Sequence, residues 1–249
     1  MKLLSKSVAA GSMVLVIFAM LLTSFQIAMY GDGGYGFFKK EYRKYQVADQ
    51  LDMREEDLEK VTVYMMDYLI GKEEKLSIET TVDGKRQDFF NDQDRLHMED
   101  VQRLFLGGLR LQNICLILAL LGCLWIRFQE REWKRRIAVG YRNAAWLLGG
   151  AAIILAVWCA VDFSQVFVIF HKLFFRNDLW LFDPETDYMI QMLPEGFFFD
   201  MVKRIGGIFF LFFGGIYLAA WLYRRKEGKN LAKSAGGAAE KPQKVRSNK

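Results

Sequence analysis

The sequence predicts an all-α integral membrane protein. Four transmembrane helices carry cytoplasmic N- and C-termini, and a small α+β extracytoplasmic domain lies between helices 1 and 2. Three observations lead there. Hydrophobic residues make up 52 % of the chain and gather into four blocks, each long enough for the roughly 20 apolar residues that a helix needs to cross the hydrocarbon core. The one sizeable polar segment, from about Gly31 to Gly107, holds 18 acidic against 12 basic residues, net −6. The remaining connections alternate in sign, and that alternation sets the orientation below.

The N-terminus and first span occupy residues 1–30. Lys2 and Lys6 precede an apolar run from Val8 to Met29 that is too long for a secretory signal, and no small-x-small pattern precedes Tyr30. An uncleaved span is expected.

Residues 31–103 form the extracytoplasmic domain. Gly33, Gly34 and Gly36 give a flexible exit, and Phe37 to Tyr45 reads as a short amphipathic helix. A second helix is expected over Asp52 to Leu69. Glu55, Glu56 and Asp57 lie in its first turns, where the helix dipole favours negative charge. Val61, Tyr64, Met65, Tyr68 and Leu69 recur at helical spacing. Asp83-Gly84 between two β-prone runs is a hairpin signal. Asn91 or Asp92 can cap a helix that carries His97 and runs on into the second span.

That span covers residues 104–126, followed by a loop over 127–143 with six basic residues against two acidic from Arg127 to Arg142. The third span is expected over 144–170. An aromatic and acidic loop follows over 171–204, then the fourth span over 205–223. The tail, 224–249, has nine basic residues against two acidic and ends in Ala/Gly/Lys-rich sequence expected to be disordered. Pro194 suits the first turn of the helix feeding the fourth span. Gly206-Gly207, Gly214-Gly215 and Gly149-Gly150 are expected at close helix contacts. Basic excess at the N-terminus, the middle loop and the tail places all three in the cytoplasm.

Both histidines of the chain are then outside. His97 comes just before the second span and His171 just after the third, so both imidazoles are expected near the outer headgroup level. Neutral imidazole is a general base near pH 7 and can act as a nucleophile. Asp94, His97 and Asp100 repeat every third residue, so a carboxylate could orient the ring. Arg95, Lys172 and Arg176 are cations that could steady an oxyanion. Asp162 is a carboxylate within a span, a functional candidate by default. Trp180, Phe182, Phe197, Phe198 and Phe199 are types found at membrane interfaces, as an anchoring belt or a lipid groove.

Cys115, Cys123 and Cys159 lie inside apolar blocks and fit neither a disulfide framework nor a Cys-x-x-Cys zinc site. No Gly-rich phosphate loop or Gly-x-Ser-x-Gly elbow is present, and the basic tail reads as topology and anionic-lipid attraction, not nucleic-acid recognition.

Several stretches together resemble a known family. Phe89-Phe90 is followed by His97-Met98-x-Asp100-Val101, then His171-x-x-Phe174-Phe175, Trp180-x-Phe182-Asp183-Pro184, Asp187 and Pro194-Glu195-x-x-Phe198-x-Asp200. In order and topology these are similar to the lipoprotein intramolecular transacylase (Lit) family, over about residues 8 to 223. The resemblance implies an acyltransferase of the bacterial cell membrane. Its substrate is a lipoprotein whose N-terminal cysteine carries a thioether-linked diacylglyceryl group. The sn-2 acyl chain moves to the cysteine's α-amine and leaves the N-acyl S-monoacylglyceryl, or lyso, form. No cofactor and no other acyl donor is implied, and the partners are diacylglyceryl-modified lipoproteins and the bilayer. His97 and His171 become the catalytic pair. Trp180, Asp183, Glu195 and Phe198 become candidates for contact with substrate or lipid. Two other readings stand beside it: a non-catalytic membrane scaffold or sensor, and a metal-dependent hydrolase using both histidines and a carboxylate, without His-x-x-x-His spacing to support it.

Overall fold

The computed structural model describes residues 2–239. The first helix, α1 (Lys2–Tyr30), leads to α2 (Gly36–Lys44), α3 (Val47–Gln50) and α4 (Glu55–Leu69), then to a two-stranded antiparallel hairpin, β1 (Glu79–Val82) and β2 (Lys85–Asp88). The chain continues through α5 (Asp92–Gln129), α6 (Trp133–Val161), α7 (Phe163–Phe174), α8 (Tyr188–Met192) and α9 (Glu195–Ala239). Four of these helices, α1, α5, α6 and α9, are long and apolar enough to cross a membrane.

Helix α1 is the centre of the bundle and packs against α5, α6 and α9. Its Met13, Ile17 and Met20 bury against Tyr141, Ala144 and Ala145 of α6 and Phe209 of α9. Polar contacts cross the apolar seams of the bundle: Gln112 Nε2 donates to Thr23 Oγ1 at 2.7 Å, and the Tyr141 hydroxyl donates to the Phe213 carbonyl at 2.8 Å. Where no water competes, such bonds fix which helix faces meet.

Glycine permits the close approaches, though not mainly where expected. A Cβ on Gly140 would stand 2.8 Å from the Ala9 carbonyl oxygen, and one on Gly122 would overlap the Ser12 hydroxyl. Gly149 packs on Phe213, whereas Gly150, Gly206, Gly207, Gly214 and Gly215 have nothing within 4 Å of that position. The expected contacts at the α9 glycine pairs are therefore absent, because those residues lie on faces turned away from the neighbouring helices.

Above the bundle, Phe38, Tyr42, Val47, Leu51, Leu58, Val61, Met65 and Met66 form a second core with Phe89 and Phe90. Met189, Met192, Phe197 and Met201 belong to the same core. The polar stretch before the fourth span is thus not a separate loop, because its apolar residues complete the domain begun by residues 31–103. The hairpin turns at Asp83 and Gly84, both at positive φ, 51° and 67°, as a two-residue type I′ connection requires.

Helix α5 begins with a reciprocal cap. Asn91 Oδ1 accepts from the Asp94 N–H, and Asp94 Oδ2 accepts from the Asn91 N–H, each at 2.9 Å. A cap of this kind contributes about 1 kcal/mol. The helix then runs without interruption from this second core into the apolar bundle.

Two expectations are corrected. The third apolar block is not one helix to Phe170: α6 stops at Val161, and Asp162 starts α7 by accepting from the Gln165 N–H at 2.9 Å. Hydropathy stays high through this point, so the break is made by one capping carboxylate. The helix that contains the expected fourth span, 205–223, runs from Glu195 to Ala239. The disorder expected at the Ala/Gly/Lys-rich end of the tail is not found as far as Ala239, where the chain is helical, and the rest of that stretch, 240–249, lies outside the described residues.

Candidate active site

Helix α5 supplies His97 from its second turn, and α7 supplies His171 from its last. Charged residues on the first turns of α5, from Asp92 to Arg103, keep His97 above the apolar part of that helix. The two imidazoles face one another with ring centroids 6.1 Å apart and planes 27° from parallel. Both are buried, His97 at 6 % and His171 at 8 % exposure.

Aromatic rings enclose the pair. Trp180 stacks on His171 at 4.9 Å and 28°, and Phe167 touches the same ring at 4.1 Å. Phe175 and Phe182 meet His97 edge-on at 5.1 and 5.4 Å. Phe198 reaches the site through Phe167, at 5.4 Å between rings.

Hydrogen bonding distinguishes the two rings. His171 Nδ1 lies 2.7 Å from the Phe167 carbonyl oxygen. A carbonyl can only accept, so Nδ1 carries the proton and, in the neutral ring, Nε2 carries the lone pair. His97 Nδ1 is buried and has no hydrogen-bond partner among the described residues. A buried nitrogen left unpaired costs stability, and such atoms mark positions where a ligand group can complete the bonding.

Burial also sets the charge. It pushes His97 down to about 4, with His171 adding to the effect and the Asp100 carboxylate opposing it. Burial lowers His171 too, while the bond to Phe167 works the other way. Both rings are therefore neutral at pH 7. Burial among aromatic rings disfavours any charged imidazole.

The other candidates divide. Asp100 lies one turn after His97 on α5, with Oδ1 accepting from Arg103 at 2.7 Å and Oδ2 from Asn177 Nδ2 at 2.8 Å. Asp94 serves as the cap described above and makes no hydrogen bond to His97 among the described residues. Burial raises it to about 6, against the stabilising Asn91 N–H. Arg95 is committed to the Leu76 carbonyl, Asp88 and Asp92. Asp162 caps α7 and is exposed. Lys172 and Arg176 are exposed and form no ion pair among the described residues. Asp183 holds its own loop, its N–H donating to Asp187 and its carboxylate accepting from Glu185. Glu195 accepts from Ser164 and, with Cys159, Ala160, Phe163, Gly196 and Phe199, lines an open cavity of about 230 Å³.

Phe167 escaped the sequence reading. It sits one helical turn before His171, and that i, i−4 relation was the available signal. Asn177 and Gln93 also escaped it. Gln93 Nε2 donates to the Leu179 and Leu181 carbonyls, each at 3.1 Å, and so pins the loop that carries Trp180. Among the described residues, no group of three or more His, Cys, Asp or Glu is arranged to hold a metal ion, so the hydrolase reading lacks a third ligand beside the histidines.

Comparison with known proteins adds the following. A family model described as lipoprotein intramolecular transacylase Lit matches residues 10–198. The structure of the membrane-integral lipoprotein intramolecular transacylase Lit from Bacillus cereus is similar, with a TM-score of 0.73 at 22 % identity, covering 93 % of this chain and 100 % of that one. Two histidine variants of the same enzyme give TM-scores of 0.65 at 23 % identity, covering 92 % of this chain and 94 % and 93 % of theirs. At that identity the likeness establishes the fold, a multi-pass arrangement in the membrane. No curated protein matches the chain.

Proposed function

Because the chain belongs to the lipoprotein intramolecular transacylase family, we propose that it moves the sn-2 acyl chain of an S-diacylglyceryl-cysteine lipoprotein to the α-amine of that cysteine. The single observation that carries the reading is the ring-to-ring placement of His97 and His171 in an aromatic pocket. Both are neutral, and one has a fixed tautomer.

The steps balance as follows. The substrate's α-ammonium, with an ordinary pKa near 7.7–8.0, must lose a proton before it can attack. That first proton leaves to water, and His171 Nε2 holds the lone pair that takes the second proton from the nitrogen as the C–N bond forms. The freed amine attacks the ester carbonyl carbon, a C–N bond forms, and charge builds on the carbonyl oxygen. A neutral His97 N–H donates to that oxygen, the kind of preorganised contact that stabilises a tetrahedral intermediate. The C–O bond to the glycerol sn-2 oxygen breaks, and the imidazolium returns the proton to the leaving alkoxide. The products are an amide and a glycerol hydroxyl. Donor and acceptor share one molecule, and well-oriented intramolecular reactions reach effective molarities of about 10⁵–10⁸ M, so two imidazoles and an aromatic-walled pocket suffice.

Lys172, Arg176, Asp100, Trp180 and Phe198 complete the setting. We place the site on the extracytoplasmic side, with N-terminus, 127–143 loop and tail in the cytoplasm, because the charge alternation supports that orientation. A lipid-anchored substrate then meets the histidines at the outer leaflet.

The test is mass spectrometry of one lipoprotein's N-terminal peptide from a bacterium making diacyl lipoproteins, with and without this chain. The expected result is an unchanged total mass with one acyl group moved from glycerol to the amine on fragmentation. An unchanged fragmentation pattern, with the protein verified in the membrane, contradicts the proposal.

A further inference from the structure

The histidines sit on α5 and α7, and Phe167 of α7 touches the His171 ring, yet the indole stacked on that ring comes from neither helix. Trp180 lies on the irregular segment between α7 and α8, which is held by turn and side-chain bonds and not by a regular element. Beside Gln93, which holds the Leu179 and Leu181 carbonyls, one side chain of the segment itself makes the bonds next to the indole. Asn177 Nδ2 donates to Asp100 Oδ2 at 2.8 Å, and its Oδ1 accepts from the Leu179 N–H at 3.2 Å. Its backbone carbonyl accepts from the Trp180 indole N–H at 3.0 Å.

We propose that Asn177 is a positioning residue for the reaction: it ties the carboxylate beside His97 to the indole stacked on His171, and so holds both walls of the histidine pocket in register. The inference rests on the transacylase reading for the reaction itself. The link runs from α5 through one amide to the loop, then through one carbonyl to the indole. Asn177 is exposed and belongs to neither hydrophobic core, so its three bonds serve geometry and not packing.

The chemistry requires an amide. Asp100 accepts and the Leu179 N–H donates, so the residue between them must offer a donor and an acceptor at once. Asparagine does so on a short stem; aspartate at this position would set two carboxylates against each other, and alanine offers neither group. Without the side chain, residue 177 is released from α5, its carbonyl is no longer fixed, and Trp180 loses the anchor that keeps it on the imidazole. Water then reaches His171. Gln93 still holds the Leu179 and Leu181 carbonyls, so the loop loosens at Trp180 without detaching.

The test uses the full chain, purified without a histidine tag and reconstituted in phosphatidylcholine vesicles with a synthetic diacylated lipopeptide. It compares Asn177→Ala with the double replacement Asp100→Asn plus Asn177→Asp, which exchanges donor and acceptor across the link. Asn177→Ala is expected to lower kcat by about tenfold with KM within about twofold, the pattern of a misplaced reacting geometry, and the exchange to recover most of that loss. The readout independent of activity is the imidazole NMR titration, simple in a protein with two histidines. In Asn177→Ala the His171 signal is expected to titrate at higher pH than in the parent, while the melting temperature stays unchanged.

Parent-like kcat and an unmoved His171 titration in Asn177→Ala overturn the assignment. So does a loss of kcat that the exchange leaves unrepaired while His171 titrates as before. An inactive parent chain is a separate outcome that overturns the transacylase reading on which the assignment rests.

Discussion

His97 and His171 lie ring to ring at 6.1 Å although they come from different helices. His97 stands in the second turn of α5, after its reciprocal cap, and His171 in the last turn of α7. Nδ1 of one ring is bonded to a backbone carbonyl, and Nδ1 of the other is buried without a partner among the described residues. Two chemically identical side chains are thereby given different hydrogen-bonding states by their surroundings.

Single replacements His97→Gln and His171→Gln are each expected to lower the transfer rate by at least about a hundredfold, the usual contribution of a positioned acid or base. Conversion of lipopeptide in vesicles measures this, with membrane levels of each variant matched. Full activity in either variant removes that histidine from the mechanism.

The protonation states are open to the same imidazole NMR. Both rings are expected to titrate below the ordinary value near 6.5, His97 at about 4, and His171 is expected to show the proton on Nδ1. The sign carries over to stability. Because the unfolded chain takes up these protons at higher pH than the folded chain, the histidine contribution to stability falls as pH drops below about 6.5. For His97 the loss runs on to about pH 4. Ordinary titration of both rings would refute the buried, neutral pair.

The bundle predicts opposite outcomes for two glycines. Gly140→Val places methyls against the Ala9 backbone and is expected to destabilise by about 1–3 kcal/mol, as overpacking does. Gly207→Ala enters open space and is expected to be neutral or to stabilise by up to about 1 kcal/mol through helix propensity. Melting temperatures in detergent decide the order, and the reverse order would show that the helices meet on other faces.

Much of this was legible in the residues. The four apolar blocks, the Asp83-Gly84 turn and the Asn91 cap are local signals, and each produced its element. The convergence of two histidines needed only the positions of the spans around them. What escaped depends on tertiary contacts. Which glycine of a helix faces a neighbour is set by the rotation of that helix in the bundle, so the Gly-Gly pairs of α9 misled while Gly122 and Gly140 passed unnoticed. The stop at Asp162 hid inside a continuous hydropathy signal. Met189 and Met192 gave no sign that they would fill a core begun more than a hundred residues earlier, because sequence distance says nothing about which apolar face they complete. Asn177 looks like any loop asparagine until Asp100 and Trp180 are placed on either side of it.

The central claim is an acyl transfer within one substrate molecule, performed by this histidine pair. The most direct measurement mixes two diacylated lipopeptides in vesicles with the purified chain, one with heavy-isotope acyl chains and an ordinary peptide, the other with ordinary chains and a heavy peptide. Each lyso product is then read by fragmentation. The account predicts that heavy chains appear only on the amines of ordinary peptides and ordinary chains only on heavy peptides, and that neither product forms with His97→Gln or His171→Gln. Exchange of chains between the two peptides, or unchanged products from both variants, would contradict it.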